Sequence, residues 1–301
     1  MANAPAADNS ANNSANNLNG ILLALLSTAL FTLVAALAKI AVDDYHVFEI
    51  LFFRQMVILI SCLPSLRKAF PESLKTQRPK LHLLRLIGAF LALTCSTWAV
   101  SVLPLTTALT LSFAQVFFVA LLAFFFLKET LGKHRIGAVI VGFIGVVIVM
   151  RPGVDGIIDT HSLVPILGAA GVALAIISVR TLSQTESTTT LLIYQAVFIG
   201  VLAGIPLFWF WKTPDLAGAV LMLSMGAISA IASWIGIQSL RLGEASVIAN
   251  IQYMQLIYGA ILGYLLFSEV PDTYTIVGAA IIIGSSIYIY RREALIKRGK
   301  R

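Results

Sequence analysis

Charged residues are scarce in this sequence. Only 12% of its 301 residues are Asp, Glu, Lys or Arg, whereas 58% are hydrophobic and the mean hydropathy is +0.91. Soluble globular proteins carry about 25% charged residues, so this composition leaves too little polar surface to coat a soluble domain. The sequence therefore predicts a protein that lies in a lipid bilayer.

Cysteine and metal-binding patterns are also scarce. Cys62 and Cys95 are the only cysteines, and neither lies in a CxxC motif or near a Cys/His pair. The chain has no HExxH motif and no nucleophile with its base inside an apolar run. We therefore expect no metal, no cofactor, no disulfide framework and no enzymatic activity, and we interpret both thiols as packing residues.

Apolar runs near membrane-spanning length occur ten times, since a spanning helix needs about 20 mostly apolar residues. The runs cover approximately residues 18–41, 47–63, 86–102, 106–127, 136–150, 163–179, 191–211, 216–240, 245–267 and 273–290. No Asp or Glu lies at the centre of any run, so we expect no buried carboxylate that carries protons. The predicted fold class is an all-α polytopic membrane protein with ten transmembrane helices.

The net charge of +7 predicts the orientation of these helices. An even number of spans leaves both termini on one side, and the positive-inside rule places most Lys and Arg in the cytoplasm. If both termini are cytoplasmic, the external loops hold only Arg151 and Lys212 as basic residues. We therefore expect cytoplasmic termini and basic clusters that face anionic lipid, with no nucleic-acid partner.

The second half of the chain repeats the first. Gln115, Ala120, Leu122, Glu129 and Ile136 recur 140 residues later as Gln255, Ala260, Leu262, Glu269 and Ile276. We place the repeats at 18–153 and 161–290, after a disordered tail at 1–17 and before a basic cytoplasmic tail at 291–301. Each repeat holds five spans, an odd number, so the second enters the membrane inverted. Inverted repeats indicate transport by alternating access.

Three stretches have a characteristic sequence: FEILFFR at 48–54, residues 108–153 of the first repeat and residues 244–278 of the second. Together they resemble the drug/metabolite transporter superfamily with its tandem EamA-type domains. The resemblance implies a ten-helix carrier of small metabolites in the bacterial inner membrane, with a cavity lined by helices that include the first, third, fourth, sixth, eighth and ninth. Residues 180–187 are similar to the domain link in carriers of amino acids, riboflavin or S-adenosylmethionine, although a basic helix C-cap and a polar loop also explain them.

Polar side chains inside the fourth and ninth spans are the candidate substrate ligands. Gln115 and Gln255 are repeat equivalents, and Ser112 and Gln252 lie one turn before them on the same helix faces. A polar side chain within hydrocarbon must face the protein interior or a wet cavity, so we expect a polar substrate to bridge the two faces. The alternative is that the amides form hydrogen bonds between helices.

Four further side chains extend the candidate site. Asn250 and Tyr253 lie on the ninth span, Trp98 on the third and Trp234 on the eighth. An indole N–H at membrane depth needs a hydrogen-bond partner, which a cavity provides as water or substrate. A tryptophan bonded to a backbone carbonyl in the core is the alternative for both indoles.

Four charged residues are assigned gating or structural roles. Lys39 and Arg54 lie inside predicted spans, and Lys39 is close enough to the external end to snorkel. For Arg54 three roles remain open: it binds an anionic group of the substrate, it donates to a carbonyl of a neighbouring helix, or it forms an ion pair with Glu49. Glu129 and Glu269 end their helices at opposite membrane faces and could brace or gate those ends.

Two further residue types carry structural expectations. The imidazoles near helix ends are interpreted as solvated interfacial side chains: His46, His82, His134 and His161. The glycines of the fifth and tenth spans predict a close-packed seam, between the two halves or at a dimer contact: Gly137, Gly142, Gly145, Gly278 and Gly284.

The predicted function is secondary transport of a small polar metabolite, such as an amino acid, riboflavin or S-adenosylmethionine, by alternating access. A broad-specificity drug or metabolite exporter of the same fold is the alternative, and a channel or an intramembrane enzyme fits less well. The expected partners are the small-molecule substrate and the lipid bilayer, and the chain is expected to be a monomer or a homodimer.

Overall fold

Helices make up all the regular structure that is described. The computed structural model describes residues 5–69, 76, 78–127, 133–150, 160–182, 186–242 and 251–299. In chain order the α-helices are α1 Pro5–Ala41, α2 Val47–Ala69, α3 Pro79–Val102, α4 Leu105–Ser112, α5 Gln115–Leu127, α6 Lys133–Met150, α7 Leu163–Leu182, α8 Thr188–Gly204, α9 Leu207–Phe210, α10 Leu216–Leu242, α11 Met254–Phe267 and α12 Thr273–Gly299. The all-α prediction is confirmed.

Within the residues that the structure describes, six segments are long and apolar enough to cross a membrane: Leu18–Ala41, Val47–Pro64, Pro79–Val102, Leu105–Ala123, Thr160–Val179 and Leu216–Gly236. Four shorter apolar helices accompany them: Ile136–Met150, Thr190–Gly204, Met254–Phe267 and Thr273–Ile289. Their outward faces carry large exposed apolar side chains, among them Ile140, Ile144 and Val220. Exposed apolar surface of this extent needs a non-aqueous surrounding, so this is a multi-pass membrane protein.

Local signals fix several helix ends. The Asp215 carboxylate accepts the N–H of Gly218 at 2.8 Å and caps α10, and the Asp272 carboxylate accepts the N–H of Thr275 at 2.8 Å and caps α12. Each bond satisfies an amide that has no partner within the helix. Pro79 occupies the first position of α3, where the missing N–H costs nothing.

Three boundaries differ from the sequence-based expectation. Helix α1 begins at Pro5, within the stretch expected to be a disordered tail, because lengthening an existing helix costs far less than starting one. The run at 191–211 divides into α8 and α9 at a turn that contains Pro206, whose ring disfavours a continuous helix. The run at 106–127 divides into α4 and α5.

Close helix pairs hold the bundle together. Helix α1 packs along α10, α3 along α7, α2 along α8 and α6 along α12. A Cβ on Gly88 would lie 2.7 Å from the carbonyl oxygen of Gly171, and the converse distance is also 2.7 Å, so α3 and α7 are in backbone contact. Cys95 is buried beside this contact and packs on Gly168, as expected for a packing residue.

The glycine seam between α6 and α12 joins the two halves of one chain. A Cβ on Gly278 would lie 2.7 Å from the carbonyl oxygen of Gly145. Gly142 packs against a phenylalanine ring of α5, whereas Gly137 and Gly284 face open space. The sequence left two roles for the seam, contact between the halves or contact in a dimer. The structure shows the contact between the halves, and Gly145 and Gly278 are buried in it.

Candidate functional site

Two helices are interrupted at corresponding positions of the repeats. Between α4 and α5, the N–H groups of Phe113 and Ala114 donate to carbonyls three residues earlier, at 3.1 and 3.0 Å. Immediately before α11, the N–H of Gln255 donates to the carbonyl of Gln252, also three residues earlier, at 3.0 Å. These tighter turns replace the regular α-helical bonds. Discontinuous helices at corresponding positions of two repeats mark substrate sites in transporters.

The two interruptions are in contact. The rings of Phe113 and Tyr253 pack against each other in a tilted arrangement, with their centroids 5.0 Å apart and their planes 33° apart, and both residues are buried. They are 140 residues apart in sequence, the same separation as Gln115 and Gln255. The structure therefore brings together the predicted Tyr253 and the two helix breaks beside the predicted glutamines.

The glutamine amides are available for a ligand. The side chains of Gln115 and Gln255 are half-buried, and neither amide forms a hydrogen bond with a residue that the structure describes. The alternative of a hydrogen bond between helices is therefore not observed for either. The Ser112 hydroxyl donates within its own helix, to the Ala108 carbonyl at 2.8 Å. Gln252 is exposed.

The predicted Asn250 lies outside the described residues, and the two indoles lie on exposed helix faces. Trp98 is 51% exposed on a face of α3 that also carries Leu83 and Ile87, and Trp234 is 63% exposed on α10. Neither indole forms a hydrogen bond with a described residue, so the alternative of a bond to a core carbonyl is not observed there. An exposed aliphatic face favours contact with lipid, and we leave both indoles out of the site proposed below.

Lys39 and Glu269 form an ion pair at the external end that the sequence predicts. The Lys39 ammonium lies 2.5 Å from the Glu269 carboxylate and donates to the Leu103 carbonyl at 2.8 Å. The other carboxylate oxygen accepts the N–H of Leu105 at 2.8 Å. Lys39 therefore does not snorkel, because these partners satisfy it within the protein. The pair ties α1 and the turn before α4 to the turn after α11.

A left-handed residue aims Glu269 at this pair. Ser268 has φ 56° and its N–H donates to the Tyr264 carbonyl, while the N–H of Glu269 donates to the Gly263 carbonyl, both at 3.0 Å. The bond from the Ser268 N–H to a carbonyl four residues earlier is that of the αL ending, in which one left-handed residue turns the chain and satisfies a carbonyl of the last helical turn. Of the remaining gating candidates, Glu129 lies outside the described residues.

Arg54 and Glu49 lie on α2 without pairing. The Arg54 side chain is half-buried and its Nε is buried without a hydrogen-bond partner. Glu49 is fully buried, and its carboxylate accepts only a long bond of 3.4 Å from the N–H of Lys212. The ion pair between Arg54 and Glu49 considered from the sequence is therefore not formed.

A buried ionic cluster at the start of α3 was not evident from the sequence. His82 is 2% exposed, and its Nε2 lies 2.5 Å from a carboxylate oxygen of Glu186, whose other oxygen accepts the Thr76 hydroxyl. Arg85, 4% exposed, donates to the Gln195 side chain at 2.9 Å and to a backbone carbonyl of α8 at 3.1 Å. The cluster joins α3 to α8 and the turn before it.

This cluster corrects one expectation about the histidines. His82 is not a solvated interfacial side chain, although the other three histidines are exposed as expected. The available signal was the i, i+3 spacing of His82 and Arg85, which places both on one helix face, but their partners are more than 100 residues away. No group of three His, Cys, Asp or Glu side chains among the described residues could hold a metal ion.

A second polar cluster lies at the start of α10. The Tyr45 hydroxyl donates to the Asp215 carboxylate at 3.0 Å, and the Lys212 ammonium donates to the Asp44 carbonyl at 3.0 Å. The hydrogen bond from the N–H of Gly218 holds the pKa of Asp215 below its usual value, and the Tyr45 hydroxyl acts in the same direction. Burial raises the pKa of Tyr45.

The architecture defines a class of protein. Multi-pass helical chains whose halves carry matching broken helices beside unpartnered polar side chains are membrane carriers. Residues 18–151 and 161–291 each match the EamA-like transporter family. The chain belongs to this family, and the resemblance to the drug/metabolite transporter superfamily is confirmed.

Named relatives have the same size as this chain. It is 31% identical over 269 residues to an S-adenosylmethionine uptake transporter of Rickettsia bellii, with 88% of this chain and 92% of the relative covered. It is 28% identical to the pseudopaline exporter of Pseudomonas aeruginosa, with 91% and 97% covered. It is 26% identical to a riboflavin transporter of Brucella anthropi, with 81% and 88% covered. The protein is therefore a metabolite transporter and not an enzyme.

A solved crystal structure shares the fold. Its TM-score with this chain is 0.59, and the superposition covers 93% of this chain and 98% of the other, at 16% sequence identity. At that identity the similarity shows the fold alone.

Proposed function

We propose that this transporter moves S-adenosylmethionine, or a small polar metabolite of similar chemistry, by alternating access between two inverted five-helix repeats. The observation that carries the proposal is the ring contact between Phe113 and Tyr253, its repeat equivalent. Equivalent residues of two related units touch each other only near the axis that relates the units. The helix breaks and the polar groups beside them therefore lie at the junction where an alternating-access site is expected.

The helix contacts support the repeat relationship. We count α4 with α5 as one span, so that the first repeat contributes α1, α2, α3, α4–α5 and α6, and the second contributes α7, α8, α10, α11 and α12. Exchanging the repeats converts the α1–α10 contact into α7–α3, and the α1–α11 contact into α7 with α4–α5; all of these contacts occur. The exchange leaves the α2–α8, α4–α11 and α6–α12 contacts unchanged, and these occur as well.

The proposed ligand groups are the amides of Gln115 and Gln255, with the Phe113–Tyr253 pair between the helix breaks. Uncharged amides donate and accept hydrogen bonds, so they suit the edge of a purine or another polar heterocycle. S-Adenosylmethionine is the first candidate because relatives of that name cover nearly the whole chain. The names of the relatives include both uptake and export, so the direction of transport is a separate question.

Counterflow in proteoliposomes tests this function. Unlabelled S-adenosylmethionine inside the vesicles is expected to accelerate entry of labelled S-adenosylmethionine, which a channel does not do. Gln115→Ala and Gln255→Ala are each expected to weaken the apparent affinity by about 5- to 100-fold, the effect of losing hydrogen bonds to a buried ligand. Gln238→Ala is the matched control, since this half-buried amide lies beyond the apolar span of α10. Unchanged affinity in both site variants would remove these amides from the site.

Site-directed labelling tests the inverted arrangement and the cytoplasmic termini. We expect Lys133→Cys to react from the cytoplasm and Asp272→Cys from the outside, in a background that lacks Cys62 and Cys95. The charge distribution supports this orientation. Labelling of both positions from the same compartment would contradict the inversion.

A further inference from the structure

Arg54 is an isolated charge inside the bundle. It lies in the apolar span Val47–Pro64 with its side chain half-buried. The Nε atom is fully buried without a partner, and the guanidinium forms neither a hydrogen bond nor an ion pair with any residue in the described ranges. A guanidinium stays protonated in proteins, so this position carries a permanent positive charge with no protein counter-ion there.

Two other basic side chains that the structure describes inside the spans have protein partners. Lys39 pairs with Glu269 across the external end. Arg85 donates to Gln195 and to a backbone carbonyl. A charged residue is retained in a membrane span mainly when it pairs or lines a wet pathway. Arg54 has no pair among the described residues, which favours the pathway role.

The neighbours of Arg54 on α2 place it on an inward face. Ile50, one turn earlier, belongs to the main hydrophobic core. Val57, one turn later, packs on α10, where a Cβ on Gly226 would lie 2.7 Å from the Val57 Cβ. Residues at i−4, i and i+3 share a helix face, so Arg54 lies on the side of α2 that meets α10. The adjacent Gln55 is fully buried, and neither atom of its amide has a partner.

We propose that Arg54 binds a carboxylate of the transported metabolite, so that the substrate class is an amino-acid-bearing molecule such as S-adenosylmethionine. The planar guanidinium matches a carboxylate with two parallel hydrogen bonds. A bound carboxylate supplies the missing counter-ion. It also accepts hydrogen bonds from the N–H groups of the guanidinium, including the buried Nε–H. This inference rests on the proposed function and specifies which group of the substrate the protein recognises.

The test compares ligands that differ only in the carboxylate. S-Adenosylmethionine and its decarboxylated analogue compete against labelled S-adenosylmethionine in proteoliposomes, with riboflavin and adenosine as ligands that have no carboxylate. The intact protein is expected to prefer the carboxylated ligand by about 10- to 100-fold. Arg54→Gln is expected to abolish that preference and to leave the affinity for the decarboxylated analogue unchanged. Arg67→Gln, at an exposed position of the same helix, is the control that keeps the preference.

Three results overturn the inference. The first is equal affinity of the intact protein for the two forms, which needs no variant and applies even if Arg54→Gln does not fold. The second is that Arg54→Gln loses the same affinity for S-adenosylmethionine and for its decarboxylated analogue, while Arg54→Lys still prefers the carboxylated ligand. That result indicates a structural role for Arg54. The third is transport of riboflavin or adenosine in preference to every carboxylate. Counterflow with no ligand of the panel would instead refute the proposed substrate class, and this inference with it.

Discussion

The rings of Phe113 and Tyr253 pack against each other across the junction of the repeats, with their centroids 5.0 Å apart. Each lies at a helix break, and each is the other's equivalent in the 140-residue repeat. The contact therefore joins the two broken helices directly.

A double-mutant cycle is expected to detect this coupling. Phe113→Leu and Tyr253→Leu keep apolar bulk but remove the paired rings, and aromatic pairs contribute about 0.5–1.5 kcal/mol beyond the area they bury. The thermal stabilities of the single and double variants in detergent should deviate from additivity by that amount. Phe118→Leu, combined with Tyr253→Leu, is the control pair, because Phe118 packs on Phe143 instead. Additive effects for Phe113 and Tyr253 would contradict the contact.

The ion pair between Lys39 and Glu269 is expected to hold the external end closed. Lys39→Met and Glu269→Gln should each destabilise the protein by about 1–2 kcal/mol, since the partner keeps its charge in a site that is only 17–20% exposed. Thr106 is a buried residue in the first turn of α4, next to the Leu105 amide that Glu269 binds. In each variant, a cysteine introduced as Thr106→Cys should react faster with a thiol reagent added from the outside.

The double variant Lys39→Met with Glu269→Gln distinguishes a gating role of the ion pair from a purely stabilising role. It leaves no unpaired charge, so stability should recover in part, whereas the increased reactivity at Thr106→Cys should persist. The exposed pair between Lys212 and Asp44 provides the comparison, because its 3.5 Å contact is open to solvent and should contribute little. Unchanged reactivity in all Lys39 and Glu269 variants would exclude a gating role.

The repeat, the helix class and the positions of Gln115 and Gln255 could be predicted from the sequence because they depend on local composition and on residue spacing. The helix breaks beside them could not, since neither contains the Pro or Gly that usually signals one. The Lys39–Glu269 pair needed knowledge of which turns meet at one membrane face. The spacing of His82 and Arg85 is visible in the sequence, but a buried ion pair depends on a partner supplied by tertiary structure.

The cluster of His82 and Glu186 is expected to stabilise the protein at the N-terminal end of α3. Glu186→Gln removes the carboxylate that faces His82 and leaves Arg85 without a nearby anion. The His82 and Glu186 side chains are only 3% and 2% exposed, and a buried polar group that loses its hydrogen-bond partner costs about 1–3 kcal/mol. The melting temperature in detergent should fall well below that of the control Asp43→Asn, which alters an exposed acid. Equal melting temperatures would contradict the burial of the cluster.

The Asp215 cap predicts the response of the external end to acid. The N–H of Gly218 and the Tyr45 hydroxyl bind the charged carboxylate and lower its pKa in the folded protein. A group whose pKa is lower when folded contributes stability above its unfolded value, about 3.9 for Asp, and loses it as the pH falls through the lower folded value. The melting temperature of the protein should therefore exceed that of Asp215→Asn at neutral pH, and the difference should shrink below about pH 4. Asp43→Asn, at an exposed position, should show no such pH-dependent difference, and a constant difference for Asp215→Asn across this range would show that the charge of the cap does not stabilise α10.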